Sequence, residues 1–148
     1  MEVNLRLDEG ASWIAEGSEG HELIIDGSPE LGGVGRGPRP MELLLVGLGG
    51  CAGMDLIHIL KRGRQGISGA RLTVRGRRAA QPPKVFEEIH IKATLWGETL
   101  SERAAQRALT LSLEKYCSAA KMLGAVAEIS GELELLEAPP HSRGLGEA

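Results

Sequence analysis

Residues 43–60 read "LLLVGLGGCAGMDLIHIL", and this stretch decides the fold. Its apolar residues fall on nearly every side of a 3.6-residue turn. That predicts a buried central helix rather than an amphipathic surface one. Pro40 suits the first turn, and Glu42 suits the positive end of the helix dipole. The basic residues and glycines of "KRGRQG" (61–66) predict its end. Asp55 and His58 break the apolar run, so a core helix is expected rather than a membrane span. Gly47, Gly49, Gly50 and Gly53 each cost roughly 0.5–1 kcal/mol relative to alanine. Two reasons would justify them: another backbone lying against the helix, or space kept beside the Cys51 thiol.

Outward from this helix, strands dominate. "EVNLRL" (2–7) alternates, with Val3, Leu5 and Leu7 on one side, and predicts a half-buried strand. "SWIAEG" (12–17) and "HELIIDG" (21–27) predict two more strands of an antiparallel meander. Five glycines and three prolines in residues 26–40 forbid a regular element there, so a long loop leads into the helix, either functional or a plain connector. After the helix, "ISGARLTVRGRRAA" (67–80) predicts a strand with Leu72 and Val74 inward and Arg71, Thr73, Arg75 and Arg77 outward. "KVFEEIHIKATLWG" (84–97) answers it with Ile89, Ile91, Ala93 and Leu95 inward. Glu87, Glu88 and Lys92 are expected to meet the arginine row across the pair. Ser101 is a good N-cap for a second helix, which continues or restarts at Cys117 and stops at Gly124. "AVAEISGELELLE" (125–137) predicts one or two closing strands, with Gly131 as a turn or bulge. The order βββ–α–ββ–α–β(β) is α+β, one domain over residues 1–137 with a frayed tail at 138–148.

Composition narrows the function. With 3% aromatic residues, aliphatic side chains must fill the core. A net charge of −3 offers no basic face for nucleic acid, so the arginine row reads as a solvated sheet face. "MEVNLRLDEG" has no apolar core of a signal peptide, so a cytoplasmic protein with no membrane partner is expected. In that compartment two cysteines do not predict a structural disulfide. His58 and His90 would be needed to complete a zinc set, and no CxxC or HxxxH spacing supports one, so no metal or cofactor is expected.

Two positions carry candidate chemistry. Cys51 and Asp55 lie four apart on one helix face, with His58 seven beyond the cysteine. Asp55 and His58 either tune the thiol, in opposite directions, or satisfy buried partners. Glu114, Cys117 and Lys121 would share a face if the second helix is continuous. If it breaks at Cys117, the amides of the new turn would favour a thiolate instead. Spacing alone leaves open whether the two cysteines meet or are inert core residues.

"PRPMELLLVGLGGCAGMDLIHILKR", followed by "LEKYCSAAKML", resembles the OsmC/Ohr family of osmotically inducible and organic hydroperoxide resistance proteins. The likeness runs from about Val3 to Leu136. It implies an α+β fold in an intertwined homodimer, with two antiparallel sheets wrapped around central helices. It also implies a thiol peroxidase, with Cys51 as the peroxidatic and Cys117 as the resolving cysteine. The substrate would be an organic hydroperoxide and the reductant a dithiol. Glu114 and Asp55 are the acidic candidates at that site. The characterised peroxidases add a glutamate at the start of the central helix and an arginine from the N-terminal strands or loop. Met41 stands at that glutamate's position, with Glu42 beside it. No arginine lies between Leu7 and Arg36, which leaves Arg36 and Arg39 as substitutes. A second reading is therefore a non-peroxidase dimer that binds an apolar or thiol-reactive small molecule.

Overall fold

The computed structural model describes residues 1–137; the tail expected at 138–148 lies outside them. The chain divides into a first compact unit, Met1–Val46, and a second that begins at Gly47.

The first unit holds the meander. β1 (Asn4–Leu7), β2 (Trp13–Glu16) and β3 (Glu22–Ile25) pair antiparallel in sequence order. The expected half-burial of β1 is not found. Val3, Leu5 and Leu7 are all more than half exposed, because β1 is an edge strand with no layer on its apolar side within the unit. The glycine-rich loop after β3 is folded around one side chain. Asp26 is buried, and its carboxylate accepts hydrogen bonds from Ser12 Oγ at 2.9 Å and from the backbone N–H groups of Gly27, Val34 and Arg36 at 2.8–3.0 Å. Gly33 is required for this wrap: a Cβ there would lie 2.0 Å from the Gly27 carbonyl oxygen.

In the second unit, β4 (Gly69–Arg78) and β5 (Phe86–Trp96) form the expected antiparallel pair. Ile89, Ile91, Ala93 and Leu95 of β5 are fully buried, as their alternation predicts. Arg77 pairs with Glu87 and Glu88, whereas Lys92 turns to Glu132 and Glu134 on the other neighbouring strand. That strand is β6 (Glu128–Leu136), one continuous element that runs parallel to β5. Gly131 is neither a turn nor a bulge. It makes room for a crossing element, since a Cβ on it would lie 2.7 Å from Leu113 Cδ1. A parallel neighbour requires a crossover, and the helices between the strands supply it. They are α2 (Glu102–Leu111), capped by Ser101 Oγ accepting the Ala104 N–H, a π-turn (Ser112–Tyr116) and α3 (Ser118–Leu123).

The long helix α1 (Pro40–Arg62) buries a single stripe: Leu48, Ala52, Leu56 and Leu60, four residues apart. Leu56 and Leu60 join Ala93, Leu95, Ala105, Ala108 and Leu109 in the core. The other sides are open, with Met54 76% and Val46 64% exposed, so the helix is not buried all round in the chain as described. By length and hydropathy α1 is able to cross a membrane, but its stripe is the core of the second unit. Its glycines divide by role. Gly49 and Gly53 receive the side chains of Val74 and Leu72 from β4, while Gly47 and Gly50 face open space.

Candidate functional site

The same stripe that packs α1 sets the position of its thiol. Ala52 is buried, so Cys51 beside it is turned to the edge of the core and is half-buried. Opposite, the crossover abandons helical geometry at Cys117, whose φ and ψ of −68° and 107° are extended. The π-turn ahead of it is locked to α1 by one buried bond: Ser112 Oγ donates to the Ala52 carbonyl at 2.9 Å. This contact joins the element before Cys117 to the residue after Cys51. The result is a cluster in which the two sulfurs and an Asp55 carboxylate oxygen all lie within 4.8 Å of one another. Both cysteines are free thiols.

The two thiols sit in different surroundings. Cys117 is 2% exposed and caps α3, its Sγ accepting the Ala120 N–H at 3.3 Å. Burial pushes its thiol up to about 11, and the interaction with Cys51 pushes the same way through a hydrogen bond and through charge. The Ala120 and Ala119 amides pull downward and lose. The break at Cys117 does bring amides to the sulfur, as one of the two sequence alternatives has it, but desolvation outweighs them. At neutral pH Cys117 is therefore a protonated, sequestered thiol, which leaves Cys51 as the one positioned to meet a solute.

Asp55 joins both sulfurs, and its carboxylate has no ion-pair partner among the described residues. It also lines an open cavity of about 510 Å³ with His58, Ile59, Arg62, Leu111 and Tyr116. Its lining combines apolar and aromatic residues with charged ones. Glu114 does not lie on a shared helix face with Cys117 and Lys121, because the chain turns at Cys117. It is exposed, outside the three-atom cluster, and lines a separate groove with Lys121 and Glu128. His90 is occupied on the sheet by Ser130 and Glu132, and His58 is exposed.

In the first unit the candidate substitutes have local tasks. The Glu42 carboxylate accepts the Arg39 N–H at 2.8 Å, the reach-back half of a capping box at the start of α1. The Arg36 side chain is paired with Asp8, and its backbone N–H is held by Asp26. Sequence reading missed Ser112 and Asp26. A lone serine in an amphipathic helix carries no signal; the Asp-Gly pair at 26–27 marks only a turn.

The chain is similar to known proteins in sequence and in fold. A family model described as OsmC-like protein matches residues 33–131, which include both cysteines. Protein YhfA of Escherichia coli K12 is 32% identical over 138 residues, 93% of this chain and all of that one. A hypothetical protein from Aquifex aeolicus VF5 is 38% identical, with a TM-score of 0.77, over 92% of this chain and 97% of the other. The organic hydroperoxide resistance protein OhrB of Bacillus subtilis shares the fold at 19% identity and a TM-score of 0.62, over 90% and 96% of the two chains. With a family match over two thirds of its length and a full-length relative above 30% identity, the chain belongs to the OsmC-like protein family.

Proposed function

We propose that this protein is a thiol-dependent peroxidase that reduces organic hydroperoxides as a cytoplasmic homodimer, in defence against oxidative stress. The observation that carries the reading is the pair of free thiols, one half-buried and one sequestered, with sulfurs within 4.8 Å. The Cys51 thiolate attacks the terminal oxygen of the hydroperoxide. An S–O bond forms, the O–O bond breaks, and Cys51 becomes a sulfenic acid. The alkoxide leaves and takes a proton to become the alcohol. Cys117 then attacks the oxidised sulfur: an S–S bond forms, the S–O bond breaks, and hydroxide leaves as water with the proton that Cys117 gave up. A dithiol reductant reopens the disulfide and departs as its own disulfide.

Asp55 takes the proton from Cys51 and returns it to the alkoxide through one intervening water, its oxygen being within 4.8 Å of the sulfur. Glu114, exposed on the turn before Cys117, is not one of the groups gathered around the two sulfurs. The cavity beside Asp55, walled by Ile59, Leu111 and Tyr116, suits an organic tail. The exposed apolar side of α1 and the bare apolar side of β1 suit a second copy of the chain. The test is consumption of cumene hydroperoxide with dithiothreitol supplied. Wild type turns it over and Cys51→Ser falls to the rate of a protein-free control; equal rates in the two would sink the reading.

A specific observation favours the second reading as well. Met41 replaces the family's glutamate, Glu42 is committed to the helix cap, and Arg36 to Asp8. In that case the dimer binds an apolar or thiol-reactive small molecule. Peroxide treatment would then leave two titratable thiols, and mass spectrometry of the purified protein would show a retained ligand.

A further inference from the structure

The structure brings together a ligand set that sequence spacing conceals. The histidines that a zinc set would need by sequence, His58 and His90, are not in the cluster. Asp55 is the third donor instead. Two thiol sulfurs and a carboxylate oxygen within 4.8 Å of one another supply three corners of a tetrahedron. Around zinc, with Zn–S about 2.3 Å and Zn–O about 2.1 Å, tetrahedral ligands lie roughly 3.5–3.8 Å apart. No pair here needs to close by more than about 1.3 Å to reach that spacing, a shift within reach of rotation at Cys51 and Asp55, which are half-buried.

We propose that the reduced protein binds one thiophilic divalent cation, of the zinc or cadmium class, through Cys51 Sγ, Cys117 Sγ and an Asp55 carboxylate oxygen. Three protein ligands leave the fourth position open, toward the cavity that Asp55 and Tyr116 help to line. Soft sulfur donors select such cations over magnesium or calcium, whose sites are built from oxygen. The Ser112–Ala52 bond holds the two cysteine-bearing segments in register, so the donor set exists before the ion arrives. Binding releases the thiol protons and occupies both sulfurs at once. The cation therefore blocks any chemistry of the pair, and a disulfide between the two abolishes the site. The proposal rests on the donor geometry and not on peroxide turnover.

The experiment equilibrates fully reduced protein with zinc chloride, removes unbound metal by gel filtration, and measures zinc per chain by elemental analysis. Cadmium chloride serves as a second probe, read by its thiolate-to-metal charge-transfer absorption. The expected result is one ion per chain in wild type, with both thiols slowed toward alkylation. Cys51→Ser, Cys117→Ser and the diamide-oxidised protein are each expected to lose the ion, and Asp55→Asn to bind at least tenfold more weakly. Circular dichroism confirms that each variant is folded, and an unfolded one is replaced by the corresponding alanine. Half an ion or less per chain in wild type overturns the proposal. So does a stoichiometry unchanged in either cysteine variant or in oxidised protein. An unweakened Asp55→Asn removes Asp55 from the set. Absence of peroxide turnover leaves all these readouts intact, so the two readings fail separately.

Discussion

Cys117 and Asp26 show how the same force, burial, gives opposite outcomes for two ionisable groups. At Cys117 burial outweighs the Ala120 and Ala119 amides, and the thiol is pushed up to about 11. Asp26 is as deeply buried, yet the N–H groups of Arg36, Gly27 and Val34 and the Ser12 hydroxyl hold its carboxyl down at about 2. Both lead to predictions. Oxidation of Cys51 leaves the burial of Cys117 in place, so closure of the disulfide after peroxide attack should accelerate with pH between 7 and 9. The slope should approach tenfold per unit, as for a nucleophile far below its pKa. Stopped-flow Trp fluorescence of single turnovers checks this, and a flat profile would remove Cys117 as the resolving thiol. For Asp26 the folded value, about 2, lies below the unfolded value of about 3.9. The carboxylate thus stabilises the first unit above pH 4, and that contribution is lost as pH falls from about 4 to about 2. Amide chemical shifts of Gly27, Val34 and Arg36 should collapse over that window, and should already be displaced at pH 7 in Asp26→Asn.

At the scale of elements, the site depends on where helices stop. α1 passes Cys51 unbroken, whereas the crossover ends at Cys117 and restarts with that residue as its cap. One bond fastens the two, and removing it tests the arrangement. Ser112→Ala deletes a buried hydrogen bond whose acceptor, the Ala52 carbonyl, lies within α1. It should cost about 1 kcal/mol, or about 2–4 °C in Tm by calorimetry. It should also slow disulfide formation while leaving both thiols titratable. Unchanged closure would show that the packing of Leu113 over Gly131 is enough to hold the turn. Of the two alternatives for the helix read through "ERAAQRALTLSLEKY", continuation or restart at Cys117, the restart holds, and the regular helix already ends at Leu111. Periodicity reports which face is apolar, but not whether a buried serine and a crossing strand will interrupt the turn.

For the whole molecule, the open side of α1 is the largest consequence. Leu44, Val46 and Met54 are exposed beside Gly47 and Gly50, which have no neighbour within 4 Å of a Cβ position. The proposed second copy would cover this side, the glycines allowing close approach. Light scattering should give about twice the chain mass of 15.7 kDa, and Met54→Lys should shift the protein toward the monomer. A monomeric wild type would overturn the dimer.

The α+β order, the meander, the β4–β5 pair with its inward residues and the span of α1 were all legible in the sequence. These follow from local periodicity and from caps and breakers, which act over a few residues. The family was legible too, in the motifs around Cys51 and Cys117. Only tertiary structure decided that β6 joins β5 in parallel, that Lys92 pairs with Glu132 and Glu134, and that Asp26 organises the glycine-rich loop. It alone set Asp55 beside both sulfurs and made burial outweigh the amides at Cys117. The physical reason is common to all of these. A hydrogen bond, a charge or a desolvation depends on what lies across space, and residues 60 positions apart in the chain, as Ala52 and Ser112 are, meet only once the core has closed.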